Sequence, residues 1–467
     1  MLSKDEEVVI AQCTPNGSGA IALLRLSGIN TRQIVSKISY LPSKKQITDI
    51  NTKTVNFGYI IDDNKNKIDQ VMFIVMDGPA TFTGQDIIEI TCHNNKFIIQ
   101  KIISLAIKHG ARYAENGEFA RRAVLNKKID LIQAEAINEL IHANTQLALK
   151  QALSQIQGSF SNWVYNLEKE LIRLLAWCQA TFEFLDEEVD FNDQIKDVIL
   201  KLYQDIKNIK KTFDIQQHIK EGIRIAIVGT VNAGKSSIFN AFLNQNRAIV
   251  TNIAGTTRDT IESGLILKEN QCTLIDTAGL RQTDDIIEQE GIKKTFQEAA
   301  KADIVLLVLD NSRNLNTQEK KIYDSLISKY LAKIILIANK SDIYNNQYNN
   351  KYSIDNKPDI DLDIIKISTI TKNNFDKLEH NIGLKIDALF SSIESPFLLN
   401  KRHFNILTTI ESRIQSIIEK FENYSALHYE LISYDINEII TIISGLTGKS
   451  ISELGLDTVF KEFCVGK

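Results

Sequence analysis

The sequence predicts three architectures in one 467-residue chain. An α+β domain spans residues 1–125. An all-α helical domain takes 126–220 and 391–467. An α/β domain, 221–390, is inserted into the helical one. Three observations carry this. The first 125 residues mix short apolar runs with one amphipathic helix. Leu131 to Phe184 contains no proline and one glycine, Gly158, and helical sequence returns after Pro396. Between these stretches, apolar runs alternate with helical segments around a glycine-rich loop, Gly229-Thr-Val-Asn-Ala-Gly-Lys235-Ser236-Ser237.

Bulk properties narrow the class. The chain is 43% hydrophobic and 24% charged, ordinary for a soluble globular protein. Its net charge of −4 excludes a whole-chain basic footprint for nucleic acid, so an RNA would have to meet a local patch or a partner. Cys13, Cys92, Cys178, Cys272 and Cys464 are scattered, with no C-x-x-C pair. Neither a zinc site nor a disulfide framework is expected. Met1 to Glu7 lacks a cationic segment leading into an apolar one, and no apolar run approaches the ~18 residues that span a bilayer. The expectation is a cytoplasmic protein with reduced thiols and no membrane segment.

In chain order, Glu7–Ala11 and Ala20–Leu26 read as strands about the turn Pro15-Asn-Gly-Ser-Gly19. Val71–Val75 and Ile87–Thr91 add two more strands. Lys96–Ile107 reads as a helix ended by Gly110. Ile137, Leu140 and Ile141, then Leu149, Leu153 and Ile156, keep helical spacing and predict two long helices that break near Gly158. A third helix is expected across Gln194 to His218. Arg224–Val228, Leu274–Ile275, Ile304–Leu309, Ile334–Ala338 and Ile364–Ile367 read as strands of a doubly wound, mostly parallel sheet. Asn345 to Lys357 is polar and Asn-rich, and reads as a loop. Ile406, Ile410, Ile414 and Ile417 form one stripe of a C-terminal helix. Each helical piece alone is an incomplete bundle, which favours the insertion.

The glycine-rich loop fits G-x-x-x-x-G-K-[ST], preceded by a strand and followed by a helix start. Such a turn lets backbone N–H groups converge on a phosphate, and the helix N-terminus adds partial positive charge. Lys235 would reach the β and γ phosphates, and the Ser236 hydroxyl would hold Mg²⁺. Asp276-Thr-Ala-Gly279 follows a strand; its Asp can hold Mg²⁺ through water and the Gly279 N–H can meet the γ-phosphate. Asn339-Lys-Ser-Asp342 ends another strand. There Asp342 can accept both N–H groups of a guanine edge, a donor pair that adenine lacks. Ser368 closes the fifth strand, where a backbone amide would face the guanine oxygen. Gly255-Thr-Thr-Arg-Asp259 occupies the place of a first switch, and Thr257 can complete the Mg²⁺ shell. The α/β domain therefore reads as a Ras-like phosphate-loop GTPase domain. The GTP contacts are expected from Asn232, Ala233, Gly234, Lys235, Ser236 and Ser237; from Thr251, Asn252, Ile253, Ala254, Gly255, Thr256 and Thr257; from Asp276, Thr277, Ala278 and Gly279; and from Asn339, Lys340, Asp342 and Ser368. Leu280 stands where Ras-type enzymes carry the glutamine that orients water. Glu288 is the nearest alternative.

The ensemble resembles a known family. Asn232–Ser237, Gly255–Asp259, Asp276-Thr-Ala-Gly-Leu-Arg281 and the terminal Phe463-Cys-Val-Gly-Lys467 are similar to the tRNA modification GTPases called MnmE or TrmE. Ala11-Gln-Cys-Thr-Pro15, Leu24-Arg-Leu-Ser-Gly28, Thr81–Asp86, Gly117-Glu-Phe-Ala-Arg-Arg-Ala123 and Asp130-Leu-Ile-Gln-Ala-Glu-Ala136 match the same family. The resemblance implies a tetrahydrofolate-binding N-terminal domain that makes a homodimer. It implies a flavin-dependent partner of the MnmG (GidA) type, forming a heterotetramer. Together they add a carboxymethylaminomethyl or aminomethyl group to C5 of the wobble uridine of certain tRNAs, the one-carbon unit carried on 5-formyl-tetrahydrofolate or a related folate. It further implies K⁺-stimulated hydrolysis: Asn232 and Thr256, with the carbonyls of Thr251 and Ile253, would hold K⁺, and Glu288 would orient water. Folate contacts would fall on Arg25, Glu89, Lys128 (or Lys127 by register) and Lys467. Cys464 would be the family's required cysteine, acting through transient covalent chemistry or contact with folate. Two departures lie near the folate site. Pro15-Asn16-Gly17 replaces a Pro-Pro-Gly turn, and His93-Asn94-Asn95 replaces a histidine followed by two glycines. A GTP-switched RNA or ribosome-assembly factor would explain the central domain equally well, but would leave Arg25, Glu89 and Cys464 without a role. A folate-dependent one-carbon enzyme regulated by its GTPase domain is a third reading.

Overall fold

The computed structural model describes residues 4–183, 192–211, 213–245, 261–276, 287–343, 351–354, 357–391, 395–423 and 429–466. Their contacts divide the chain into two compact units. One is Met1–Ile141, Leu153–Lys207 and Lys401–Lys467; the other is His142–Ala152 and Asn208–Asn400.

The first unit begins with β1 (Val9–Gln12), β2 (Ile21–Ser27), α1 (Thr31–Lys37), β3 (Ser39–Tyr40), β4 (Thr54–Ile61), β5 (Lys67–Met76), β6 (Ile87–His93), α2 (Lys96–Lys108), β7 (Arg112–Tyr113) and α3 (Glu118–Leu125). The strands form one sheet in the order β3-β4-β5-β6-β2-β1-β7. Neighbours are antiparallel except β1 and β7. On β2, Ala22, Leu24 and Leu26 are fully buried, while Arg25 between them faces the other side, the period of two a strand requires. Asn95 caps α2 by accepting from the amides of Phe97 and Ile98. Strand β4 and helix α1 had no clear signal. Val55 and Phe57 of β4 stay largely exposed while Thr54 and Asn56 are less so, so the strand's apolar alternation points outward at its start.

The next helices are α4 (Leu131–Ile141), α5 (Gln146–Ile156), α6 (Ser159–Glu183) and α7 (Asn192–Lys211). Three helices thus cover the stretch expected to hold two. The additional break falls at 142–145, where Asn and Thr side chains offer the backbone alternative partners. Thr145 Oγ1 accepts from the Ala148 amide at 3.2 Å and donates to Ile219 O at 3.1 Å, and Asn144 Nδ2 donates to Lys220 O. Those bonds group His142–Ala152 with the α/β unit rather than with the helices.

The second unit contains α8 (Phe213–Glu221), β8 (Ile223–Gly229), α9 (Lys235–Gln245), β9 (Ile261–Leu267), β10 (Asn270–Asp276), α10 (Ile287–Lys301), β11 (Ile304–Asp310), α11 (Thr317–Tyr330), β12 (Ile334–Asn339), β13 (Lys351–Ile354), β14 (Lys357–Lys366) and α12 (Phe375–Ser391). The sheet order is β13-β14-β12-β11-β8-β10-β9. β10, β8, β11, β12 and β14 run parallel, and the edge strands β9 and β13 are antiparallel. Every residue of β11 and β12 is buried, as in a sheet covered on both faces. β13 corrects the loop expected over residues 345–357. Its polar composition hides an anchor, Tyr352, which is buried and donates from its hydroxyl to Asp324 Oδ1 at 3.0 Å.

The chain then returns to the first unit with α13 (Lys401–Asn423), α14 (Tyr429–Thr447) and α15 (Glu453–Phe460). The α6 stripe is Phe160, Val164, Leu167, Leu171, Leu174 and Cys178, all buried at steps of three and four. Ile410, Ile414 and Ile417 of α13 are buried as expected, and Leu407 joins them where Ile406 stays half-buried.

A buried ionic cluster ties these helices. Glu135 of α4 accepts from Arg402 Nε at 2.7 Å and from the second terminal nitrogen at 2.6 Å, and lies 2.7 Å from His403 Nε2. Arg402 also donates to the carbonyls of Gly445 and Leu446, near the end of α14. Burial pushes the Glu135 carboxyl up, but the His403 charge and the Arg402 bond outweigh it and bring it from 4.5 down to about 2. A depressed pKa contributes stability above pH ~4.5 that is lost as pH falls toward 2, on the order of 3 kcal/mol. Glu135→Gln should therefore be less stable than wild type at pH 7 by about 3 kcal/mol. The gap should narrow as urea denaturation is repeated from pH 4.5 downward; a constant gap would refute the assignment.

Candidate functional site

The glycine-rich loop follows β8, whose residues Ile225 to Val228 are completely buried, and opens α9. Asn232 (φ 63°) and Gly234 (φ 91°) both take the left-handed conformation, which turns successive N–H groups toward one concavity. Gly234 also leaves room for a neighbour: a Cβ there would displace Asn339 Nδ2. That nitrogen donates to Ala233 O at 3.2 Å, joining the end of β12 to the loop.

Lys235 is only 8% exposed. Its ammonium donates to Gly229 O at 2.9 Å and to Thr230 O at 2.8 Å. Burial lowers its pKa and the Asp276 carboxylate opposes the loss of charge. Ser236 Oγ donates to Asp276 Oδ2 at 2.7 Å, so hydroxyl and carboxylate arrive together from α9 and β10. Two hard oxygen donors at a helix N-terminus, beside a buried ammonium, suit a hydrated Mg²⁺ and the phosphate chain it accompanies. The buried Asn339 Oδ1 and Thr230 Oγ1 have no hydrogen-bond partner, which also fits a site built for a polar ligand.

Around the end of β12, Lys340 (φ 65°) donates to Asp310 Oδ2 at 2.7 Å. Burial raises the Asp310 carboxyl, and the bonds from Lys340 and Ser312 outweigh it and hold it below the usual carboxylate range. The Ser341 amide donates to Ile367 O, leaving Asp342 exposed beside it. Ser368 is fully buried. Its amide donates to Asn373 O at 3.3 Å and its hydroxyl accepts from Thr371 N at 3.1 Å, so Ser368 shapes the turn and its own amide is already committed. Asp310 was missed in the sequence because the apolar run Ile304–Leu309 ends one residue before it and no motif includes it. Thr251, Asn252, Ile253, Ala254, Gly255, Thr256, Thr257, Thr277, Ala278, Gly279 and Lys467 lie outside the described residues. Glu288 falls in the first turn of α10, with its side chain likewise outside them.

The N-terminal sheet assembles a second group. Arg25 on β2 is directly opposite Glu89 on β6, and Arg25 Nε donates to Glu89 Oε1 at 2.8 Å. The guanidinium stands 5.5 Å from the Phe119 ring centre. It also donates to Gly466 O at 3.4 Å, the same carbonyl that accepts from Cys13 Sγ at 3.2 Å. Val465 bridges Asn116, and the Gly117 amide donates to Cys464 O. The terminal motif is thereby laid against the strands that carry Arg25. Cys464 is exposed, while burial pushes the Cys92 and Cys272 thiols up to about 12 and Cys178 up to about 11. Lys128 is exposed and donates to Pro79 O at 2.7 Å. The two departures from the family pattern meet: Asn94 Nδ2 donates to Gly17 O at 2.9 Å.

Fold and site together define a phosphate-loop nucleotide-binding protein whose other unit combines an α+β sheet with long helices. A family model described as the MnmE helical domain matches residues 131–464, and one described as the GTP-binding protein TrmE N-terminus matches 8–128. A protein of Lachnoclostridium phytofermentans is 36% identical over 467 residues, 99% of this chain and 99% of its own. One of Thermoanaerobacter sp. strain X514 is 36% identical over 470 residues, again 99% of each. One of Thermotoga maritima is 34% identical over 462 residues, 99% of this chain and 100% of its own. All three are named tRNA modification GTPase MnmE. The chain belongs to the MnmE family.

Gly234→Ala should weaken binding of a Mg²⁺–nucleoside triphosphate at least tenfold and cost about 1–3 kcal/mol of stability, as overpacking does. Calorimetric titration and thermal melting check this; unchanged affinity would show that Asn339 yields freely.

Proposed function

We propose that this protein hydrolyses GTP in the service of tRNA modification, and that the chemistry installed is a carboxymethylaminomethyl or aminomethyl group at C5 of the wobble uridine. Family membership and the joined Lys235, Ser236 and Asp276 site carry this reading. Lys235 offers a buried positive charge to the β and γ phosphates. Ser236, with Thr257, would hold Mg²⁺, which when bound neutralises charge on the phosphate oxygens. Asn339, Lys340 and Asp342 would select guanine, with Ser368 shaping the turn beside them. Asn232, Thr251, Ile253 and Thr256 would hold K⁺, whose charge supplies what an arginine supplies in other GTPases. With Leu280 unable to orient water, Glu288 takes that role.

The N-terminal unit would bind a 5-formyl-tetrahydrofolate or related folate beside Arg25 and Glu89, with Lys128 and Lys467 as further contacts. Cys464, exposed two residues before the Gly466 carbonyl that Arg25 reaches and held by its own carbonyl at the Gly117 amide, would serve the modification step. A homodimer through this unit is supported by an exposed apolar face: Val55 is 59% exposed, and Phe57 is paired across strands with Met72. A flavin-dependent partner of the MnmG type and cytoplasmic residence complete the proposal. Among the described residues no helix is long and apolar enough to cross a membrane.

Three measurements check these assignments. GTP turnover should be faster in K⁺ than in Na⁺ at equal ionic strength, and equal rates would refute the cation site. Glu288→Ala should cut kcat by roughly 10²-fold or more with GTP affinity nearly unchanged. Mass analysis of wobble uridine in tRNA from cells lacking the protein should show the C5 modification gone; unchanged nucleosides would sink the function.

A further inference from the structure

We propose that Tyr323 is a positioning residue for the phosphate loop, setting Thr230 and, through it, the ammonium of Lys235. Tyr323 lies in the middle of α11, is 1% exposed, and belongs to the core cluster that includes Val228, Leu326 and Ile327. Its hydroxyl donates to Val308 O of β11 at 2.6 Å and accepts from the Thr230 amide at 2.9 Å. A phenol has one proton, so the first bond fixes its direction and leaves a lone pair aimed at Thr230. Thr230 is the residue immediately after Gly229. Its carbonyl accepts from Lys235 Nζ at 2.8 Å, and Gly229 O accepts from the same nitrogen at 2.9 Å. One residue is thus held at its amide by Tyr323 while its carbonyl holds Lys235.

The packing leaves no slack in this bracket. A Cβ on Gly229 would stand 2.5 Å from Val308 O and 3.2 Å from the Tyr323 hydroxyl, so only a bare backbone fits between β11 and the loop. The ring's burial needs no hydroxyl, since phenylalanine would fill the same core space. A buried hydroxyl costs free energy unless both its capacities are used, and here they are used on the loop and its neighbouring strand. Lys235 is itself buried, so its direction depends on the carbonyls that hold it. Losing the Tyr323 bond frees Thr230 and, with it, the geometry in which the ammonium meets phosphate.

This inference rests on the loop being a GTP site, and the experiment separates the two. GTP dissociation constants, kcat, KM and melting temperatures are measured for the full chain as wild type, Tyr323→Phe and Ile327→Val. Ile327→Val loosens the same core without touching the loop. Tyr323→Phe should weaken GTP binding by about five- to tenfold, the scale of one such hydrogen bond. KM should rise in parallel while kcat changes less than twofold. Ile327→Val should lower the melting temperature and leave GTP affinity unchanged. Tyr323→Phe binding GTP within twofold of wild type would overturn the inference. So would Ile327→Val weakening GTP by the same factor, because the effect would then be one of general stability. A wild-type chain that binds no GTP would overturn both the inference and the reading of the loop.

Discussion

The buried ammonium of Lys235 is the constraint on which the second unit depends. Removing an ammonium from water costs several kcal/mol per ion unless it is held and balanced. Two carbonyls hold it, and Asp276 supplies a balancing charge that also receives the Ser236 hydroxyl. Each neighbour is constrained in turn. The carbonyls come from a loop that needs a left-handed Asn232 and a glycine at 234, and that glycine gives room to Asn339. The charge at the loop thus reaches the end of β12, where Asn339 and Lys340 stand.

In the first unit, ionic contacts replace what long-range hydrophobic packing cannot specify. Glu135 draws α4 to α13 through Arg402 and His403, and Arg402 reaches carbonyls of α14. Arg25 and Glu89 form a comparable pair on neighbouring strands, and the free edge of Arg25 meets the terminal segment at Gly466. Each is a charged group that joins elements distant in sequence. Helix stripes alone could slide by a turn, whereas a bidentate carboxylate–guanidinium pair sets the register.

Much of this was legible in the residue order. The strands before Gly229 and Asn339 and the loop itself are local signals, each a run of a few residues with one period. The stripe of Ile410, Ile414 and Ile417 is local in the same sense. What escaped reading depends on partners distant in sequence. β13 pairs with β14 and carries the buried Tyr352, whose hydroxyl reaches Asp324. The break at 142–145 becomes a boundary because residues 219–221 are there to bond it. Ser368 was expected to offer its amide to a ligand, but that amide donates to Asn373 O.

The sequence by itself determined the motifs: a phosphate loop, the Asn339-Lys-Ser-Asp342 segment at a strand end, and a terminal cysteine motif. These depend on side chains and spacings within short segments. Only the tertiary structure decided which of those groups touch. It put the Ser236 hydroxyl against Asp276, laid the Gly466 carbonyl on Arg25 and Cys13, and brought Tyr323 under the phosphate loop. The physical reason is that periodicity reports burial, whereas a hydrogen bond between residues 93 apart exists only once the sheet has set its strand order.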